Sequence, residues 1–173
     1  SNIYHTSEKV VSSELIKRFN NNQLTEKAYL ASLKAFGEEM NAKLLADSLG
    51  YTFVDPKEFM HVTDSYDNAK VSPDSYNKIS HFSKTDNVLV FPGFYGVNNK
   101  GQIATFSFGG SDLTGAILSK GLNVSEYENF TDCPIYAADP RIVINPKKVE
   151  EMTYQELRDL SYSGFSIFHQ DAV

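Results

Sequence analysis

Between residues 106 and 112 the chain reads Phe106-Ser107-Phe108-Gly109-Gly110-Ser111-Asp112, which sets two glycines, a hydroxyl and a carboxylate between a predicted strand and a predicted helix. Glycines turn sharply and expose successive backbone N–H groups. The first turn of the following helix adds unpaired N–H donors at its positive end, so an anion such as phosphate fits there. Ser111 is placed to cap a helix beginning near Asp112, and Asp112 can reinforce that start or reach towards a metal or a phosphoryl group. Taken alone, the motif also serves as a plain strand-to-helix turn.

A second group of candidates follows in Thr131-Asp132-Cys133-Pro134-Ile135-Tyr136-Ala137-Ala138-Asp139-Pro140-Arg141. An aromatic ring, two carboxylates and an arginine supply a stacking surface, a hydroxyl or metal partner, and a phosphate fork. This loop is expected outside the carboxyl end of a parallel strand spanning Val124 to Phe130, where open α/β sheets bind ligands. Read without the first motif, it is equally a structural loop in which Asp139 caps a turn and Arg141 pairs with it.

The elements that must position these residues follow from periodicity. Val10, Leu15, Ile16 and Phe19 fall on one face of a first helix. A longer helix runs from a Thr25 cap to a Gly50 stop, with Tyr29, Leu30, Leu33, Phe36, Met40, Leu44, Leu45 and Leu49 as its apolar face. Gly37 costs that helix about 1 kcal/mol relative to alanine; it marks a break or a close approach, with Glu38 opening a new helical segment. Short extended pieces are predicted at Tyr51 to Val54 and Phe59 to Thr63, a loop at Asp64 to Val71, and a short helix at Ser75 to Phe82. Val88-Leu89-Val90-Phe91 reads as a strand buried on both faces. Asn98-Asn99-Lys100-Gly101 is a hairpin turn between Phe94 to Val97 and Gln102 to Phe106. Helices at Asp112 to Lys120 and Thr153 to Tyr162 complete an α/β sandwich with a largely parallel sheet.

At 173 residues the chain suits one domain, with enough length to bury a core unaided. A net charge of −6 argues against a nucleic-acid groove or an anionic membrane surface as the main partner, although a local anion site remains open. The single cysteine, Cys133, excludes an internal disulfide and a cysteine-based zinc cluster. His5, His61, His81 and His169 have no companions at metal-ligand spacing, so no dedicated metal site is predicted. With no secretory leader or long apolar segment, the chain reads as cytoplasmic.

Both motifs in this order, with the rest of the chain, resemble those of aspartate kinases of the amino-acid kinase family. Gly37-Glu38 followed by Asn41-Ala42-Lys43-Leu44-Leu45-Ala46 is similar to the family's Gly-Glu helix. Val62-Thr63-Asp64 with Ala69-Lys70-Val71 resembles the segment leading to the central strand, and Val90-Phe91-Pro92-Gly93-Phe94-Tyr95-Gly96 the substrate-side glycine loop. Gly109-Gly110-Ser111-Asp112 matches the Gly-Gly-Ser-Asp motif, and Thr131-Asp132 with Asp139-Pro140-Arg141 the nucleotide loop. Glu151 to Leu157, through Gly164 and His169, resembles the closing helix and strand.

The resemblance implies a three-layer α/β sandwich of the amino-acid (carbamate) kinase type, incomplete here, with residues 1–173 forming part of the kinase domain. It implies transfer of the γ-phosphoryl group of ATP, with Mg2+, to the side-chain carboxylate of L-aspartate, the first step towards lysine, threonine and methionine. By the same resemblance Glu38 holds the aspartate ammonium, and Gly93, Gly109, Gly110, Ser111 and Asp112 line the junction of aspartate and γ-phosphate, with Ser111 and Asp112 nearest the chemistry. Thr131, Asp132, Tyr136, Asp139 and Arg141 surround the nucleotide, and the active form is a homodimer.

Five features depart from the pattern. Phe108 stands where the family usually has an arginine resembling a carboxylate clamp, a contact of about 1.5 to 3 kcal/mol. The nucleotide loop is one residue short, with Pro134 meeting Ile135 directly, and Ser166 replaces a lysine. The family's opening Lys-Phe-Gly-Gly strand and its regulatory ACT domains are not in this sequence, so the chain is expected to begin partway through a larger domain. Two other functions stay open: a non-catalytic homologue that binds nucleotide or a protein partner, and a kinase for a different amino-acid substrate.

Overall fold

Thr25 starts the helix around which the rest of the chain is arranged. The computed structural model describes residues 2–21, 23–107, 109–130, 134–139, 142–162 and 172. Helix α1 spans Asn2–Phe19 and α2 spans Glu26–Leu49, where the Thr25 hydroxyl accepts a hydrogen bond from Ala28 N at 3.4 Å and Gly50 closes the helix at φ 68°. Thr25→Ala should lower stability by about 1 kcal/mol, read as a shift in the urea midpoint with an unchanged slope.

Two expectations about α2 need correction. The helix passes through Gly37 unbroken, and Glu38 sits in mid-helix rather than at a new start. A side chain at Gly37 would meet nothing within 4 Å, so no close neighbour exploits this glycine. Good helix formers on both sides outweigh its roughly 1 kcal/mol cost. The buried stripe is also not the row of large residues. Ala28, Ala31, Ala35, Met40, Ala42 and Ala46 face inward, while Leu30, Leu45 and Leu49 are exposed. Small side chains let the α2 backbone approach the strands, and the large ones flank that contact.

Strand β1 (Thr52–Phe53) follows, then α3 (Pro56–Phe59), α4 (Asp74–Ser80) with a 3-10 turn at His81–Lys84, and β2 (Leu89–Val90). β1 and β2 pair in parallel, Thr52 opposite Leu89 and Phe53 opposite Val90, so α3 and α4 form a crossover between parallel strands. Strands β3 (Tyr95–Val97) and β4 (Ile103–Thr105) pair as the predicted antiparallel hairpin, with Gly96 opposite Ala104. Asn98 shapes the turn: its Oδ1 accepts from Lys100 N at 3.0 Å and Gln102 N at 2.9 Å. A further parallel bridge joins His61 to Val97, and Val62 bridges Val71 antiparallel.

Three more sequence expectations change. Phe59 ends α3, so only the later part of Phe59 to Thr63 is extended. β2 is half-buried with Val88 exposed, because among the described residues its sheet holds only β1 beside it. Val124 to Phe130 forms no strand. Neither described sheet takes a member from this stretch, and an extended backbone without a neighbour has no ladder for its hydrogen bonds. Helix α5 (Gly110–Leu122) packs against α4, and Phe59, Met60, Val62, Ile79, Phe106 and Ile117 form the heart of the core. The last described helix, α6 (Tyr154–Tyr162), opens on a capping box: Thr153 N donates to Glu156 Oε2 at 2.7 Å, and Glu156 N donates to Thr153 Oγ1 at 3.3 Å. The Thr153 N–H, with the Thr153 hydroxyl donating to the same Oε2 at 2.9 Å, holds the Glu156 carboxyl below the usual carboxylate range. Among the described residues no helix is long and apolar enough to cross a membrane.

Candidate active site

Two turns that are distant in sequence meet at the N-terminus of α5. The first leaves β2 through Phe91 and the buried Pro92, passes Gly93, and enters β3 after Phe94, whose φ is 76°. The second leaves β4 through Phe106 and enters α5 after Gly109 at φ 81°, a left-handed conformation that suits a residue without a Cβ. The first lies directly on the second. A Cβ built on Gly93 would stand 3.3 Å from Cα, Cβ and Oγ of Ser111.

Hydrogen bonds fix this arrangement. Phe106 N donates to Phe94 O at 2.9 Å, and Phe94 N donates to Thr114 Oγ1 at 3.1 Å. The Thr114 hydroxyl in turn donates to Gly110 O at 2.9 Å. Thr114 is 1 % exposed, so one buried hydroxyl ties the Gly93 loop to the first turn of the helix. The helix starts at Gly110, two positions earlier than expected, and no side chain caps it. Ser111 therefore does not act as the cap; it lies exposed within the first turn, with Asp112 half-buried beside it. Unpaired N–H groups at such a helix start are of the kind that can hold an anion.

The other candidates are more scattered. Glu38 is exposed midway along α2 and is not drawn into the Gly93–Ser111 contact. Tyr136 and Asp139 are half-buried in a loop whose ends come together: Tyr136 bridges Lys148, Ala137 N donates to Lys147 O at 2.8 Å, and Val149 N donates to Ile135 O at 2.9 Å. The Asp139 carbonyl accepts from Ile142 N at 3.0 Å and Val143 N at 2.9 Å. Thr131, Asp132, Arg141 and Phe108 lie outside the described residues.

Residues 3–173 match the model of the amino acid kinase family. The chain belongs to that family. It is 45% identical over 152 residues to aspartokinase 3 of Bacillus subtilis, a match covering 84% of this chain and 34% of that protein. Among solved structures, an aspartate kinase from Clostridium acetobutylicum superposes with a TM-score of 0.73 at 37% identity, over 94% of this chain and 36% of that one. Aspartokinase III of E. coli, solved in complex with aspartate and ADP, gives a TM-score of 0.81 at 25% identity, over 94% of this chain and 40% of that one. The chain thus spans about a third of the B. subtilis relative's length. The α/β class read from the sequence is that of these structures.

Against this amino acid kinase background, two features were missed in the sequence. Thr114 gave one signal, a hydroxyl one turn past Gly110 on the face that becomes buried. The other is a charged cluster where α1, α2 and β3 meet. The Arg18 guanidinium pairs with Glu39, donates to Ser32 O at 2.6 Å and lies 5.2 Å from the Phe36 ring centre. Lys43 Nζ donates to Glu39 Oε1 at 2.5 Å. Burial pushes the Glu39 carboxyl up, but the Lys43 hydrogen bond and the charges of Arg18 and Lys43 outweigh it and hold the group below the usual carboxylate range. Burial, with the charges of Glu39 and Asp55, keeps the neighbouring Tyr95 phenol far above its ordinary value. Glu39 is the immediate neighbour of Glu38 on α2, and Tyr95 follows the Gly93 turn.

Proposed function

We propose that the polypeptide carrying this sequence transfers the γ-phosphoryl group of ATP to the side-chain carboxylate of L-aspartate, releasing ADP and 4-phospho-L-aspartate. The observation that carries this reading is the seating of the Gly93 turn on Ser111 at the positive end of α5. It sets a loop able to hold a substrate against a cradle able to hold a phosphate. The choice of aspartate and nucleotide is supported by the E. coli relative, which was solved with aspartate and ADP.

The reaction asks little covalent chemistry of the protein. A carboxylate oxygen of aspartate attacks the γ-phosphorus, the bond to the bridging oxygen breaks, and that oxygen leaves as part of ADP; no proton moves. Catalysis is then positioning of two anions and stabilisation of the charge that develops between them. The α5 N–H groups and Ser111 hold the transferring group, and Glu38 neutralises the aspartate ammonium. Tyr136, Asp139, Thr131, Asp132 and Arg141 hold the nucleotide. A magnesium ion fits this donor set, since Mg2+ on nucleotide phosphates needs only one or two protein carboxylates rather than an all-protein cage. Asp112 would hold it, and the ion would neutralise charge on the β- and γ-phosphates.

The test is ADP release by the full-length natural polypeptide, with the acyl phosphate trapped as a hydroxamate. Both signals should require L-aspartate; ADP release that ignores aspartate, or no turnover, would sink the reading. In Glu38→Ala the KM for aspartate should rise about tenfold to a hundredfold, the loss of one charge-assisted contact. The KM for ATP should stay within about twofold, because that contact is made to the aspartate alone.

A further inference from the structure

Away from the α5 turn, helix α4 presents Asp74, Ser75 and Lys78 to a single histidine. Asp74 and Lys78 are four residues apart and so share one face of the helix. His61 comes from the segment that follows α3 and bridges Val97 of β3. The buried Ser75 hydroxyl fixes the main chain of His61, donating to His61 O at 2.9 Å and accepting from His61 N at 2.9 Å. The imidazole is then held between Asp74 Oδ2, 3.2 Å from Nδ1, and Lys78 Nζ, 2.9 Å from Nε2.

The chemistry of each partner decides what the ring can do. The Asp74 carboxylate only accepts, so it favours the tautomer with its proton on Nδ1 and leaves a lone pair on Nε2. The Lys78 ammonium only donates, and Nε2 accepts from it. Lys57 O stands 3.3 Å from the same Nε2, and a carbonyl there needs a proton to bond. One neutral ring cannot serve both contacts. The first fits His61 before it takes a proton from Lys78, and the second fits the imidazolium afterwards, with Asp74 balancing its charge. A nucleophile within hydrogen-bond reach of a base, and that base oriented by a third group, is the arrangement that activates weak nucleophiles. The His61 side chain is 33% exposed and Lys78 is half-buried, so a small reagent can reach Nζ.

We propose that Lys78 is a nucleophilic lysine, activated by His61 and Asp74, that takes the acyl group of acyl phosphates. The product of the reaction proposed above belongs to this class, but the assignment stands on the geometry around His61. Lys78 passes one ammonium proton to His61 Nε2, and the freed lone pair on Nζ attacks the acyl carbon. The bond from that carbon to the phosphate oxygen breaks, and its electron pair leaves with phosphate, which takes a second proton from Nζ. His61 returns its proton to water. An amide at Lys78 and inorganic phosphate result.

The experiment treats the full-length natural polypeptide with acetyl phosphate and follows acetylation lysine by lysine through peptide masses. Lys84 and Lys100, both exposed, give the background rate. Lys78 should react about a hundredfold faster, the lower end of what a positioned general base contributes. His61→Gln keeps a polar side chain without the base, and should bring Lys78 down to the background rate while the thermal midpoint stays nearly unchanged. Asp74→Asn, at a side chain 53% exposed, should also slow Lys78 and leave Lys84 and Lys100 unaltered; it decides the matter if His61→Gln does not fold. In urea the three lysines should react alike. A wild-type Lys78 rate within about threefold of background, far short of a general-base effect, would overturn the proposal. So would an undiminished rate in the folded variants, or a preference that survives in urea. No kinase turnover enters this measurement, so its outcome is independent of the aspartate kinase reading. With ATP and L-aspartate in place of acetyl phosphate, an aspartyl rather than an acetyl mass on Lys78 identifies the polypeptide's own product as the donor.

Discussion

Asp112→Asn should lower kcat for aspartate phosphorylation by about 10²–10³, the range found when one preorganised electrostatic group is removed from a transition-state site. The substitution keeps the size and planarity of the side chain and removes the charge. Asp112 sits in the first turn of α5, half-buried, beside the Ser111 that the Gly93 turn packs upon. A carboxylate so close to a helix N-terminus stabilises the helix by only about 0.3–1 kcal/mol. For a domain of this size that is a change of a few degrees in Tm, roughly 2–4 °C per kcal/mol. The rate effect should therefore exceed the stability effect by far, and the two are separated by steady-state kinetics beside a thermal melt. A kcat within about threefold of wild type would remove Asp112 from the chemistry and leave it as an ordinary helix-start carboxylate.

The contrast between Asp112 and Glu38 shows what the sequence can and cannot convey about this site. Motifs that specify a local backbone conformation were legible. Thr25 and Gly50 bound α2 as read, Asn98 and Gly101 make the hairpin turn, and Gly109 adopts the positive φ that its place before α5 suggested. What depends on a distant partner was not. The Gly93 turn meets Ser111 only because Thr114 binds both Phe94 N and Gly110 O, and no local pattern announces a hydrogen bond across twenty residues. The inward face of α2 was misread for a similar reason: apolar periodicity favours large side chains, whereas close approach to β4 selects the alanines. The stretch 124–130 has strand-like composition, yet what holds it is the contact of Tyr127 with Gly115, a pairing of two positions on different elements.

Glu39→Ala should destabilise the fold by about 3–5 kcal/mol, the usual cost of stranding one member of a buried ion pair. The side chains of Arg18 and Glu39 are only 12% and 13% exposed, so water replaces little of what is lost. Arg18 would keep its bond to Ser32 O and its place over Phe36, but no carboxylate would balance its charge between α1 and α2. Replacing both partners together, Arg18→Met with Glu39→Leu, should cost much less, because the penalty comes from the orphaned charge rather than from the missing pair. The pH dependence has a definite sign. Glu39 is held below its ordinary value of 4.5, so its contribution is present above that value and is lost as pH falls through the lower folded-state pKa. Urea unfolding of wild type and Glu39→Gln should therefore show a constant gap near neutral pH that narrows in acid. A cost for Glu39→Ala below about 1 kcal/mol would instead place the cluster with solvent-screened surface bridges, and α2 would owe its position beside the strands to its alanine stripe alone.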